Sequence, residues 1–358
     1  MNGSQPELAS GVILAKNAES TIETVVEALR RTCAEVVVID TGSTDETKER
    51  AVASGARVVE YAWADDFAAA RNFAHAQVKY DWVFFLDTDW ELRESANLAA
   101  LNLRDWDEVR LTWVNQWDGP QKLSQQPRTM LYRASKYVWR GRVHEYLEYT
   151  DSGRPRVITV TDEVWHRSSP GRAKEINYTE LLRADLVELP PGPRRTRTLM
   201  FLSQSLSSRG EWAGIIRLLA PEIRGLSGEH ALEVLEYFVV AVTKEKRAEE
   251  FAEVVERALR TSSDPRRPLV LGDLYSTLEP SVAAQYYLAY VSTELPREVV
   301  ERNWERYRVY PYMMLGNLAM GADSQVASEF MRRASENTRM EQKRAQLQLL
   351  VENLRARA

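Results

Sequence analysis

The N-terminal quarter of the chain alternates short apolar runs with amphipathic stretches. Gly11-Val12-Ile13-Leu14-Ala15-Lys16 reads as a strand, Ser20 to Arg31 as a helix with Ile22, Val25, Val26 and Leu29 on one face, and Glu35-Val36-Val37-Val38-Ile39 as a second strand. A third strand around Arg57 to Tyr61 leads into Trp63 to Phe73, whose alanine-rich end predicts a helix. The run Trp82-Val83-Phe84-Phe85-Leu86 is apolar on both parities, which predicts a central strand buried on both faces. This alternation predicts an α/β domain with a mostly parallel central sheet.

The chemistry sits where those runs stop. Asp87-Thr88-Asp89 follows the central strand directly, so both carboxylates would emerge at its carboxyl end, where open α/β sheets form their ligand crevice. Paired carboxylates suit a hard divalent cation that also takes phosphate oxygens, although an isolated D-x-D also serves simply to cap a helix. The second strand ends in Asp40-Thr41-Gly42-Ser43-Thr44-Asp45. There Gly42 predicts a tight turn and Ser43 with Glu46 a helix capping box, while Asp40 is placed to accept hydrogen bonds from a base or ribose.

Further along, Val109 to Val114 reads as a strand. Asn115 to Thr129, with Gly119, Pro120, Pro127 and no apolar periodicity, predicts a mobile loop able to close over a ligand. Trp113, Trp117 and Trp139 could stack on a sugar, although tryptophans in strands are more often core. Met130-Leu131-Tyr132-Arg133 and Val138-Trp139 precede His144-Glu145, and Val157 to Trp165 predicts a strand ending beside His166. The turn Trp165 to Arg172 closes the strand-rich part, giving domains at 1–170 and 171–358. Beyond it Leu199, Leu202 and Leu206, then Ile215, Ile216 and Leu219, then Leu232, Leu235 and Phe238, then Phe251, Val254 and Ala258, and finally Leu271, Leu274, Ala284, Tyr287 and Leu288 mark apolar helix faces. Turns recurring at about 35 residues predict stacked helical repeats, the apolar faces being core.

At 358 residues the chain exceeds a single ordinary core, consistent with two domains. A net charge of −5 argues against nucleic-acid binding by phosphate neutralisation. The lone Cys33 has no partner for an internal disulfide and reads as a small buried side chain. The absence of a long apolar run, and a start, Met1 to Pro6, without signal-peptide character, set the expectation of a cytoplasmic protein with no membrane span.

Lys16-Asn17-Ala18-Glu19, Val38 to Asp45, Asp66 to Asn72, Trp82 to Asp89 and Gly141-Arg142-Val143-His144-Glu145, in that order, resemble the motifs of family 2 glycosyltransferases with a GT-A fold. More narrowly the chain is similar to the branch that adds C-terminal tetratricopeptide-like helices, which includes peptide S-glycosyltransferases of the sublancin type. The resemblance implies a metal-dependent, inverting transfer from a nucleoside-diphosphate sugar, with a UDP-sugar as donor and Mg2+ or Mn2+ as cation. It implies Asn17, Glu19, Asp40, Arg71, Asn72, Asp87, Thr88 and Asp89 as donor-binding residues. Asp40 would lie on the nucleoside, Asp87 on ribose or metal and Asp89 on metal, with His166 and His144 as further metal ligands. An inverting transfer needs a base across from the D-x-D, and Glu145 is the candidate, with Asp162, Glu163 and Glu91 as alternatives. The branch usually carries a glutamate directly after the D-x-D, where this chain has Trp90.

The acceptor implied is Ser, Thr or Cys of a ribosomally made peptide, with the helical domain holding it or forming a homodimer; envelope glycan or lipopolysaccharide is the alternative. A nucleotidyltransferase would instead need a glycine-rich loop after its first strand, and Leu14 to Ala18 contains no glycine. A non-catalytic helical-repeat scaffold is the remaining reading, which the retained Asp40, Asp87, Asp89 and His-Glu pair disfavour.

Overall fold

The computed structural model describes residues 8–93, 96–116, 124–167, 178–260 and 262–356. The chain divides into compact units Met1–Leu181 and Leu182–Ala358, the sequence having placed the division at 170/171.

In the first unit β1 (Ala9–Ala15), α1 (Ile22–Arg30), β2 (Glu35–Asp40), α2 (Thr47–Ala53), β3 (Arg57–Glu60), α3 (Phe67–His75) and β4 (Trp82–Asp87) follow in the expected order. After them come β5 (Trp90–Leu92), α4 (Ala96–Ala99), β6 (Glu108–Gln116), β7 (Ser124–Arg133), β8 (Tyr137–Arg140), β9 (Tyr146–Tyr149) and β10 (Val157–Arg167). Eight strands form one sheet in the order β3-β2-β1-β4-β7-β6-β10-β5, and β8 with β9 forms a separate antiparallel ribbon. β1 pairs in parallel with both β2 and β4, so the strand order reverses there and a crevice opens at their carboxyl ends. Side-chain alternation explains the continuous apolar runs. Ile13, Val38, Phe84 and Leu86 pack in the same cluster as α1, while Val12, Val37, Val83 and Phe85 pack with α3 and the ribbon. Gly11 lets α1 lie close, since a Cβ there would stand 2.9 Å from that of Leu29.

Two local expectations are corrected. No capping box forms: α2 starts at Thr47 with no side-chain cap from Glu46. Ser43 Oγ instead accepts from the Asn17 amide at 3.0 Å, and the shorter Asp45 accepts from the Thr47 amide at 3.1 Å. The predicted mobile loop is also largely strand. Residues 115–116 end β6 and 124–129 begin β7, with Gln126 opposite Trp113 and Gln125 opposite Val114. Backbone pairing holds this stretch, so it needed no apolar periodicity. The remainder of that stretch, 117–123 with Trp117, Gly119 and Pro120, lies outside the described residues.

From α5 (Tyr178–Glu188) onward the chain is helical: α6 (Pro193–Ser208), α7 (Trp212–Leu219), α8 (Ala231–Lys244), α9 (Ala248–Arg260), α10 (Arg267–Tyr275), α11 (Pro280–Val291), α12 (Arg297–Arg302), α13 (Tyr310–Ala319), α14 (Ser324–Asn337) and α15 (Glu341–Arg355). Neighbours pack as hairpins, α7 on α8, α10 on α11, α13 on α14 and α14 on α15. The predicted apolar faces form its core, except that Leu288 is exposed while Tyr287 takes the buried side of α11. Inside this unit the Asp273 carboxylate pairs with Arg306 and accepts from Tyr287 Oη at 2.7 Å and Tyr310 Oη at 3.1 Å. Nearby, Glu236 Oε2 accepts from Tyr307 Oη at 3.4 Å, whereas Oε1 is buried with no partner among the described residues. Burial pushes this carboxyl up to about 7, against the pull of Arg306 and Arg266.

Candidate active site

The carboxyl ends of the reversing strands are in register. Ala15 pairs with Asp40 and Leu14 with Asp87, so Lys16, Thr41 and the D-x-D enter one crevice of about 420 Å³. It is also lined by Trp90, Trp113, Arg128 and His166 from the β7-β6-β10-β5 half of the sheet, and by His144, Glu145 and Tyr178.

Asp89 and His166 are 77 positions apart in sequence yet meet here. Asp89 Oδ2 lies 3.3 Å from His166 Nε2, while His166 Nδ1 bonds Asn115 Oδ1 at 2.9 Å and the imidazole stacks on Trp113 with 5.6 Å between ring centroids. The pair fits a divalent cation, because neighbouring octahedral ligands at ~2.1 Å from a metal stand about 3 Å apart. The Nδ1 contact fixes the ring orientation such a ligand needs. No set of three or more His, Cys, Asp and Glu converges among the described residues. Asp89 and His166 would therefore hold part of a coordination shell completed by water and phosphate oxygens, the usual habit of such ions.

Arg71 joins the D-x-D to Glu145. Its guanidinium donates from Nε to Glu145 Oε1 at 2.6 Å and from Nη2 to Asp87 Oδ1 at 2.9 Å, lying 3.8 Å from the centroid of the Phe85 ring. Burial opposes the charge on Glu145, but the Arg71 ion pair outweighs it and holds the carboxyl below its ordinary range. For Asp87 burial wins, Arg71 offsetting it only in part while Glu145 and Asp89 add repulsion, and its carboxyl is raised.

The other expected residues divide between the crevice lining and the loops and helix beside it. Asn17 Oδ1 accepts from the Thr44 amide at 2.9 Å and Glu19 Oε2 from the Glu46 amide at 3.1 Å, so these side chains tie the β1–α1 loop to the β2–α2 loop. Asn72 exchanges two hydrogen bonds with the Trp139 backbone. Asp40 is buried: Oδ1 accepts from the Gly42 and Ser43 amides, and Oδ2 has no partner among the described residues. Thr88 and His144 line the crevice, His144 with a left-handed backbone, φ 52°. Of the four carboxylates considered as base, Glu145 lines the crevice, whereas Glu91 pairs with Arg93, Glu163 accepts from Trp165 Nε1 and Asp162 is buried in β10. Trp139 is core, and Trp113 is a crevice wall. Arg128 and Tyr178 escaped the sequence reading. Arg128 was hidden in the stretch assigned to a loop, although an arginine two positions before the apolar Met130-Leu131 was a usable sign of a strand continuing past the core.

Residues 10–161 match glycosyl transferase family 2. They are a glycosyl transferase family 2 domain. Among curated proteins the chain is similar to a TPR repeat-containing protein of Synechococcus elongatus, 41% identical over 90 residues, which is 25% of this chain and 19% of that protein. It is also similar to an uncharacterized glycosyltransferase of Rickettsia conorii, 34% identical over 92 residues, 26% of this chain and 32% of that one. The chain thus spans a third or less of the length of either relative. Among solved structures, glucosyl-3-phosphoglycerate synthase from Mycobacterium tuberculosis, in complex with Mn2+, UDP and glucosyl-3-phosphoglycerate, is 28% identical with a TM-score of 0.25, covering 30% of this chain and 44% of that one. The family match takes in β1 to β4, the D-x-D and Glu145 and ends before His166.

Proposed function

We propose that this chain is a metal-dependent, inverting glycosyltransferase that takes its sugar from a UDP-sugar. The observation that carries the reading is the meeting of Asp89 with His166 at 3.3 Å in the same crevice as a Glu145 held by Arg71 at 2.6 Å. A bound Mg2+ or Mn2+ on Asp89 and His166 would supply Lewis-acid compensation of the departing diphosphate's charge. Asp40, with a buried oxygen still unpartnered among the described residues, supports hydrogen bonding to the nucleoside. Glu145 stands as the base: ionised by Arg71 and desolvated by the crevice walls, it would take the acceptor's proton as the acceptor attacks the anomeric carbon opposite the diphosphate. Arg71 keeps that carboxylate aimed and stops its reprotonation near neutral pH.

A helical unit, and a relative described as a TPR repeat-containing protein, support a peptide or protein acceptor presenting a Ser, Thr or Cys side chain. The test is turnover of UDP-sugars with Mn2+ against a panel of Ser-, Thr- and Cys-containing peptides. Release of UDP that requires both metal and peptide is the expected result, and no UDP release with any UDP-sugar would overturn the reading.

A further inference from the structure

Most charged groups lining the crevice are engaged. Arg71 serves Asp87 and Glu145, and Asp89 serves His166. Arg128 differs. Its guanidinium lies 4.9 Å from the centroid of the Trp90 ring and 5.4 Å from that of Trp113, and among the described residues it has neither an ion pair nor a hydrogen bond. Its place on β7 opposite Leu111 sets it diagonally across from Trp113, and it lines the same crevice as the D-x-D. Burial pulls its guanidinium below the ordinary arginine range, with Asp87 and Glu145 opposing and Arg71 adding repulsion. A half-buried guanidinium that faces a crevice and has no hydrogen-bond partner among the described residues can turn its N–H fork to an anion there.

We propose that Arg128 is the protein's own cation for the diphosphate of the donor, gripping it as it leaves. The location selects that anion. Trp90 follows Asp89 directly, and Trp113 stacks on His166, so the two rings under Arg128 are those beside the metal pair. A diphosphate held by a metal on Asp89 and His166 would therefore sit within reach of the guanidinium, whose planar fork matches paired phosphate oxygens. As the bond between the anomeric carbon and the diphosphate oxygen breaks, that oxygen keeps the electron pair and Arg128 donates hydrogen bonds to the charge that grows. The acceptor atom forms the new bond to carbon, and its proton goes to Glu145. Arg71, the cation that the motif suggests, is already bonded to two carboxylates, Asp87 and Glu145.

This inference rests on the donor reading, and the experiment separates the two. UDP and inorganic pyrophosphate are titrated calorimetrically, in excess Mg2+, into the wild-type chain and into Arg128→Met, which keeps the stem over the tryptophans, and Arg128→Lys, which keeps the charge. Loss of charge-assisted bonds should weaken both ligands about 10- to 100-fold in Arg128→Met, and less in Arg128→Lys. The ligand-free Arg128→Met protein should melt no lower than wild type, since the stem stays over the tryptophans and no hydrogen bond or ion pair among the described residues is lost; a purely structural arginine would lower the melting temperature. Equal affinities in wild type and variant overturn the role of Arg128 and leave the donor reading standing. Arg128-dependent binding of pyrophosphate without binding of UDP upholds Arg128 and removes the uridine. Unchanged UDP affinity with a raised acceptor KM assigns the guanidinium to an anionic acceptor and overturns the proposal, as does failure of the wild type to bind either ligand.

Discussion

Arg71 and Glu145, 74 positions apart in sequence, are joined by a 2.6 Å hydrogen bond between Nε and Oε1, and the same guanidinium reaches Asp87 at 2.9 Å. One buried cation therefore couples the candidate base to the first aspartate of the D-x-D. Arg71→Met should destabilise the first unit by about 3–5 kcal/mol, because it leaves two carboxylates without their partner. Urea denaturation measures this, and a loss under ~1 kcal/mol would show the pair to be dispensable.

Glu145→Gln retains shape and an acceptor oxygen for Arg71 but cannot take a proton. Affinity for UDP should stay within a few-fold while kcat falls by on the order of 10² to 10⁴. Lost donor affinity with kcat preserved would make Glu145 a binding residue and return the search to Asp162, Glu163 and Glu91.

Asp89→Ala and His166→Ala should each weaken Mn2+ binding in the presence of UDP by roughly 10- to 100-fold, the scale on which one ligand of a shared ion counts. In the double variant the losses should fall short of the sum, since the second truncation removes a site the first has already broken. Full additivity would mean that the two residues do not hold the same ion.

Glu236 gives the helical unit a pH dependence of defined sign. Its carboxyl is raised by burial from an ordinary 4.5 to about 7, so the folded chain holds a proton that the unfolded chain has released between those values. Stability from this group is complete below about 4.5 and is lost as pH rises through about 7, by up to roughly 3 kcal/mol. Glu236→Gln, which keeps Tyr307 a partner, should raise the melting temperature at pH 8 and change it little at pH 5. A variant that follows wild type at both pH values would show that Arg266 and Arg306 already neutralise the carboxylate.

Much of this was legible along the chain because burial on both sheet faces leaves a local trace. The unbroken apolar runs of β1, β2 and β4 marked central strands, and the polar residues that ended them marked the crevice. Legibility failed where backbone pairing or a distant partner decides the outcome. β7 begins in a polar stretch held by its ladder to β6, so Ser124 to Thr129 resembled a loop and Arg128 was missed with it. Ser43 and Glu46 spell a capping box, but Asn17, 26 positions before Ser43, claims the serine hydroxyl. Asn72 sits beside Arg71 in a motif, and only the position of the ribbon reveals that its amide is bonded to Trp139.

That amide clamp changes how the crevice responds to ligands. Asn72 donates to the Trp139 carbonyl at 3.0 Å and accepts from the Trp139 amide at 2.9 Å, as a neighbouring strand would. It thereby bolts α3 to β8 one residue after Arg71, while Phe85 and Trp139 flank the guanidinium at 3.8 and 4.7 Å from their ring centroids. The rotamer entropy of Arg71 is thus given up when the chain folds, not when a substrate arrives. The Arg71, Asp87 and Glu145 cluster is therefore set as a fixed electrode before any ligand arrives.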